Sequence, residues 1–270
     1  MGMDRREFIR LAGLSALLGL GGKGAFEIVR PGQALAGFQP EGKALEGKRW
    51  AMVVNMKKMD EATAAKCIEA CHRVHNVPDF SAPKDPKDQL PPEIVHRTQI
   101  KWIWTEHFHN AFPGEEYEGM PENVKHMPFL VLCNHCNNPP CVRVCPTKAT
   151  FQREDGIVMM DMHRCIGCRF CMAGCPFSAR SFNWRDPRPY VKEVFPGQPT
   201  REIGVVEKCT FCAERLAQGL MPACVEASRG VLVFGDLADE KSEVRQTLGK
   251  YFTIRRKTHL GTNPQVYYIV

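Results

Sequence analysis

A pair of cysteine runs constrains this chain more than any other feature. Cys165, Cys168, Cys171 and Cys175 follow the spacing C-x2-C-x2-C-x3-C, with Pro176 directly after them. Cys133, Cys136, Cys141 and Cys145 repeat the device with a longer middle loop, Pro139-Pro140, and again end in Cys-Pro. Three thiolates so closely spaced wrap one face of an iron–sulfur cube, and in two-cluster proteins the fourth reaches the neighbouring cube. A proline after that fourth cysteine fixes φ and removes an N–H, as expected where a helix starts. Applied to both runs, this pattern places Cys133, Cys136, Cys141 and Cys175 on one [4Fe–4S] cluster. It places Cys165, Cys168, Cys171 and Cys145 on a second. Structural zinc is the competing use of C-x-x-C pairs, but the two C-x3-C-P endings favour iron and sulfide.

Two further groups are incomplete. Cys209, Cys212 and Cys224 form a third group, and Ser228 stands where another C-x3-C would put a fourth thiolate. Near the N-terminus only Cys67 and Cys71 remain of a run, and neither register supplies the missing cysteines: Glu61 and Ala64, or Met59 and Ala62, occupy those positions. If these two groups exchange ligands as the first two do, Cys209, Cys212, Cys224 and Cys71 complete a third cluster. A fourth cluster would need Cys67 with Ser228, and one thiolate cannot hold a cube. Twelve of the thirteen cysteines are thereby used in three [4Fe–4S] clusters, and Cys67 is not expected to ligate. An odd count in tight C-x-x-C groups also argues against a disulfide framework.

The rest of the chain reads as short elements hung around these groups. Ala51–Met56 and Thr98–Trp104 suggest strands, and Glu61–His75 a helix carrying Cys67 and Cys71. Asn76–Pro92, with five prolines, and Phe112–Pro128 read as loop insertions. Ala149–Gln152, Ile157–Met160, Ala179–Trp184 and Val231–Phe234 suggest short strands, and Asp239 a cap for a last helix ending at Gly249. At the start, Arg5-Arg6 precedes a weakly apolar run from Leu11 to Gly22 and a small-x-small site at Ala34-Leu35-Ala36, the layout of a twin-arginine export signal. That run is shorter than the roughly 20 residues needed to span a bilayer. The formal charge of +6 comes without blocks of Lys/Arg interleaved with aromatics, so nucleic acid is not an expected partner.

The motifs Cys133-Asn134-His135-Cys136, Pro139-Pro140-Cys141-Val142, Arg164-Cys165-Ile166-Gly167-Cys168-Arg169-Phe170-Cys171, Lys208-Cys209-Thr210-Phe211-Cys212, Pro222-Ala223-Cys224-Val225-Glu226 and Phe234-Gly235-Asp236-Leu237 carry a family resemblance. The tail Leu260–Tyr268 fits it as well. From Arg49 onward the chain resembles the four-cluster iron–sulfur subunits of membrane-linked oxidoreductases, of the polysulfide, nitrite and dimethyl sulfoxide reductase type. Its depleted cysteine groups and the stretch Lys101–His109 look most like the DsrO (HmeA-type) branch, which belongs to the complex linking menaquinone to sulfite-reduction chemistry.

The resemblance implies an α+β fold of two interlocked, pseudo-symmetric bacterial ferredoxin-like [4Fe–4S] modules with loop insertions. Residues 129–184 would form one module. Residues 37–128, with insertions, and the cysteine group in 185–238 would form the other, followed by a helix and tail over 239–270. Residues 1–36 would be the export signal, either cleaved after Ala36 or kept as an anchor on the periplasmic face of the cytoplasmic membrane. The implied partners are an NrfD-type membrane subunit with a quinone site, a multihaem cytochrome c and other subunits of a respiratory complex. The implied role is electron transfer in dissimilatory sulfur metabolism; the iron–sulfur subunit of a molybdopterin-dependent reductase is the alternative.

No nucleophile–base triad, P-loop or carboxylate pair stands out, so no catalytic residue is assigned. An enzymatic site near Cys67 and Ser228 is the reading from another class. His107 and His109 alternate around Phe108 as on one strand face. His135 and His72 lie beside ligands, where burial or hydrogen bonding would tune a cluster. Lys148, Arg164 and Arg169 are candidates for offsetting cluster charge, and Arg255-Arg256-Lys257 reads as surface.

Overall fold

The computed structural model describes residues 44–115 and 118–270; the export signal read over residues 1–36 lies outside them. Strand β1 (Trp50–Asn55) is an unbroken apolar run, buried along almost its whole length. Its two faces serve two cores: Trp50, Met52 and Val54 join the main core, while Ala51 and Val53 join a smaller cluster on the other face. Helix α1 (Glu61–Val74) follows, capped by Asp60, whose side chain accepts from the Thr63 N–H at 2.6 Å. Its buried stripe is Ala64, Cys67, Cys71 and Val74, the three-to-four spacing of an amphipathic helix.

Pro92, the end of the stretch read as a loop, then starts α2 (Pro92–Thr98), which runs to the residue where the sequence suggested a strand would begin. A proline in the first turn costs the helix no hydrogen bond, and the Thr98 hydroxyl donates back to the Ile94 carbonyl at 2.8 Å. The strand is displaced to β2 (Ile103–Glu106) and pairs antiparallel with β3 (Phe129–Leu132). Between them the chain makes helical turns at Phe108–Ala111 and Glu122–Lys125, the second inside the stretch read as a loop.

Next come α3 (Pro140–Arg143), the hairpin β4 (Thr150–Gln152) and β5 (Val158–Met160), and α4 (Phe170–Ala173). Strand β6 (Ser181–Phe182) pairs with β7 (Val206–Glu207). Then follow α5 (Ala213–Leu216), α6 (Ala223–Ala227), β8 (Leu232–Asp236), α7 (Glu243–Lys250), β9 (Thr253–Ile254) and β10 (Val266–Ile269). Ser242, not Asp239, caps α7 and accepts from the Arg245 N–H; Asp239 closes a local turn onto the Lys241 N–H.

The largest sheet has the order β8-β1-β10-β9, with β1 antiparallel to β8 and parallel to β10. Two strands from the C-terminal end of the chain thus enclose β1, and α1 packs on α6 as a result. Among the described residues no helix is long and apolar enough to cross a membrane.

One buried ionic network ties the loop before β7 to the end of α1. Glu207 accepts from Arg201 Nη2 (2.5 Å) and Trp102 Nε1 (2.6 Å) on one oxygen and from Asn183 Nδ2 (2.6 Å) on the other. Arg201 also donates to the backbone carbonyls of His75 and Asn76. Both charged side chains are essentially inaccessible, so removing one strands the other. Glu207→Ala is expected to cost about 3–5 kcal/mol, a fall of roughly ten degrees in the thermal midpoint at this chain length. A loss below about 1 kcal/mol would mean that the network is not structurally required.

Candidate metal centres

Each cysteine loop turns through a left-handed residue at the same place. His135 (φ 40°), Gly167 (φ 69°) and Phe211 (φ 53°) each precede the second cysteine of a C-x-x-C pair. Lys148 (φ 55°) and Ser178 (φ 54°) each lie three residues beyond a run's last cysteine. Successive N–H groups in such turns point inward and form an anion-binding concavity. Accordingly, the Phe211 N–H approaches Cys209 Sγ at 3.4 Å and the Thr150 N–H approaches Cys145 Sγ at 3.5 Å. Gly167 is required sterically too, since a Cβ there would stand 2.5 Å from the Gly204 carbonyl oxygen. The short helices hold the third cysteines, Cys141 and Cys171, and end just before Cys145 and Cys175. The prolines after those fourth cysteines lead into turns rather than starting helices.

Cys133, Cys136, Cys141 and Cys175 line one small cavity, walled by Pro139, Pro140, Phe177 and Arg180. Cys171 lies among Cys165 and Cys145, with Cys168 on the same loop. Cys71, from α1, lies among Cys209, Cys224 and Cys212, from the far end of the chain. The first set occupies the middle: Cys141 neighbours Cys171 on one side, and Cys133 neighbours Cys209 on the other. His135 and Phe211 stack at 3.7 Å across that second junction. Backbone bonds from Asn137, Asn138 and Gln265 join the first loop to the tail that runs into β10.

Cys67 joins no set of four. It is fully buried and donates to the Cys224 carbonyl at 3.4 Å. The Ser228 hydroxyl donates to the Val225 carbonyl (2.7 Å) and accepts from the Leu232 N–H (2.9 Å). Both groups are engaged in holding α6 and its exit.

The donor set fits iron–sulfur cubes and not single ions. Four thiolates about one zinc lie only about 3.8 Å apart, given tetrahedral bonds of about 2.3 Å. Among the described residues no three cysteine sulfurs come within 4.8 Å of one another; the one trio that does is His75, Cys212 and Glu214. In that trio His75 and Glu214 already pair at 2.6 Å. Burial pushes the Cys209 and Cys136 thiols up to about 12, and drives Cys71, Cys212 and Cys224 well above the usual thiol range. Without a metal these thiols stay protonated; bound iron makes them thiolates. Cys145 moves the other way, because N–H and hydroxyl donors from Thr150 and Thr147 outweigh its burial.

The cations nearest the sulfurs are not those the motifs suggested. Lys148 is exposed, Arg164 pairs with Asp161, and Arg169 lies over the Phe182 and Trp184 rings. Arg180 and Lys208 are buried instead, and Arg256, read as surface, is 3% exposed. Nothing in their sequence positions marks them; only the tertiary fold brings them in. Burial pulls His72 down to about 4, so its ring is neutral at physiological pH. The histidine nearest Cys71 Sγ is His75, at 3.6 Å. His135 is buried, with Nδ1 accepting from the Val158 N–H at 3.1 Å. His107 and His109 share no strand face, since β2 ends at Glu106; both are exposed and stack at the start of a helical turn.

Comparison with known proteins agrees with this chemistry. A family described as a 4Fe-4S dicluster domain matches residues 124–237. The Hdr-like menaquinol oxidoreductase iron–sulfur subunit 1 of Archaeoglobus fulgidus is 38% identical over 98% of this chain and 97% of its own length. The menaquinone reductase iron–sulfur cluster-binding subunit of Nitratidesulfovibrio vulgaris is 33% identical over 82% of this chain and 88% of its own. The NrfC homologue of Haemophilus influenzae is 35% identical over 90% and 89%. With such identity along nearly its whole length, the chain belongs to the family of 4Fe–4S dicluster iron–sulfur subunits of oxidoreductases, the NrfC type.

Proposed function

We propose that this chain is the electron-transfer subunit of an extracytoplasmic, membrane-associated respiratory complex, and that it carries three [4Fe–4S] clusters in a row. The observation that supports this reading is that Cys133, Cys136, Cys141 and Cys175 line one cavity, Cys71 lies among Cys209, Cys212 and Cys224, and Cys171 lies near Cys165 and Cys145, while the Cys67 thiol donates to the Cys224 backbone carbonyl. Cys133, Cys136, Cys141 and Cys175 hold the middle cluster. Cys165, Cys168, Cys171 and Cys145 hold one terminal cluster, and Cys209, Cys212, Cys224 and Cys71 hold the other. Each cluster, fully thiolate-bound, supplies reversible one-electron exchange and leaves no iron open to substrate. The protein fixes the order of the sets and keeps water from the inner ones. Residues 129–184 form one ferredoxin-like module; residues 37–128 and 185–238 together form its depleted counterpart.

The two ends of the row differ in surface chemistry. Around Cys165, Cys168 and Cys145, which are only half-buried, four large apolar side chains are exposed among charged ones: Ile166 (67%), Phe170 (60%), Ile203 (60%) and Trp184 (48%). The contact of Gly167 with Gly204 brings the loops of Ile166 and Ile203 together. Clustered exposed apolar side chains mark an interaction site, and we assign this one to the quinone-site, NrfD-type membrane subunit. At the opposite end a groove of about 360 Å³ lies between α1 and α6, lined by Lys66, Glu69, Arg73, Glu226 and Arg229. Its charged lining suits a transient polar contact with the multihaem cytochrome. Relatives named for menaquinol and menaquinone support the quinone side of this reading, and the twin-arginine start at Arg5-Arg6 supports the periplasmic side. Service in dissimilatory sulfur metabolism is the proposed setting. Co-purification with a molybdenum subunit instead of a cytochrome would move the assignment to a molybdopterin-dependent reductase.

Iron analysis of the purified chain should give about twelve atoms, four per cluster; a value near sixteen would overturn the three-cluster reading. Cys67→Ser should leave that count unchanged, whereas Cys71→Ser should lower it by about one cluster. A paired Ile166→Glu, Phe170→Glu variant should keep its iron yet reduce quinol-driven reduction about tenfold in the assembled complex, the equivalent of about 1.4 kcal/mol of docking energy. An unchanged rate would move the membrane-subunit contact to another face.

A further inference from the structure

Arg180 is 5% exposed, and Asp and Glu are absent from its hydrogen-bond partners. Nη1 donates to the Thr150 hydroxyl at 3.0 Å and lies 3.8 Å from Met160 Sδ. Nη2 is buried and has no protein partner. Arg201, equally deeply buried, is by contrast neutralised by Glu207. A guanidinium cannot shed its proton, and burying it unpaired is costly. Its counter-charge must therefore come from what it faces. It lines the cavity of Cys133, Cys136, Cys141 and Cys175, and the cysteines it interacts with are Cys141, Cys171 and Cys133. Two of these belong to the middle set, and Cys171 belongs to the apolar-end set.

We propose that Arg180 is the shared counter-cation of the middle and apolar-end clusters, raising both reduction potentials together. The proposal rests on the ligand assignment above. A cluster gains one negative charge on accepting an electron, so a fixed cation beside it favours the reduced state. When one electron passes between these two clusters, one is oxidised as the other is reduced, and the same guanidinium faces both. The driving force between them is thereby held small while both stay accessible to a donor. The cluster of Cys71, Cys209, Cys212 and Cys224 has a different buried cation at hand: Lys208 Nζ donates to the Cys209 carbonyl at 2.7 Å. That cluster serves as an internal reference.

The test is an EPR-monitored redox titration of the full chain with Arg180→Met, Arg180→Gln and Arg180→Lys, each checked for iron. The expected result is that both neutral variants keep wild-type iron, two of the three potentials fall and the third stays, while Arg180→Lys recovers most of the shift. Unmoved potentials at full iron content, or a shift in one cluster alone, would overturn the proposal. If the neutral variants lose iron, retention by Arg180→Lys supports the counter-cation role, because charge and not shape is then what the site needs. Loss in all three overturns it. The wild-type iron count tests the ligand assignment separately, since it does not depend on residue 180.

Discussion

Cys71 meets Cys209, Cys212 and Cys224 only because β1 is enclosed by strands from the other end of the chain. Its antiparallel partner β8 follows directly on α6, which carries Cys224, and its parallel partner β10 comes from the C-terminal tail. Helix α1, leaving β1, is thereby laid against α6. A ladder between residues separated by more than 180 positions is entropically slow to form. Cluster ligation across the same junction then closes the loop a second time. The two constraints reinforce each other: the sheet brings the thiols together, and iron fixes the helices in place.

Burial holds Cys71, Cys212 and Cys224 as neutral thiols until metal arrives. Ligation supplies thiolate and sulfide at once, so the free energy of cluster binding is largely free energy of folding. The elements around the middle set are correspondingly small. Helices α3 and α4 are single turns, and β6 and β7 are two residues long, too little to form a stable module alone.

What could be read in the sequence was whatever repeats locally. Spacing alone located every C-x-x-C turn, because the three thiolates of one set come from at most sixteen adjacent residues. Helix α1 was legible from its apolar stripe. Strand β10 was not, because its pairing partner lies at the opposite end of the chain. The strand reading of His107 and His109 failed for a definable reason. Glu106 is the last residue of β2 in register with β3, opposite Phe129; beyond it Phe108 and Ala111 turn inward at helical spacing to pack with Phe112 and Phe129. The burial of the cations was equally invisible: Lys208 stands inside a cysteine motif and Arg180 outside one, and only the folded chain shows both buried with no carboxylate among their hydrogen-bond partners.

On the three-cluster reading proposed above, the place of the absent fourth cluster shows how such a site closes. A cube that is not bound leaves space that a packed interior cannot tolerate, since each unfilled volume forfeits contacts. Here α1 and α6 approach each other and bury Cys67 completely as an apolar filler whose thiol meets the Cys224 carbonyl. Ser228, in the place of the absent ligand, has become a helix-end bond to Val225 and Leu232. Restoring a cysteine at 228 alone would not restore the cube. It would break two hydrogen bonds and still leave two ligands wanting. On that three-cluster reading the row ends at Cys71 and Cys224, and the charged groove between α1 and α6 then lies beside its last set.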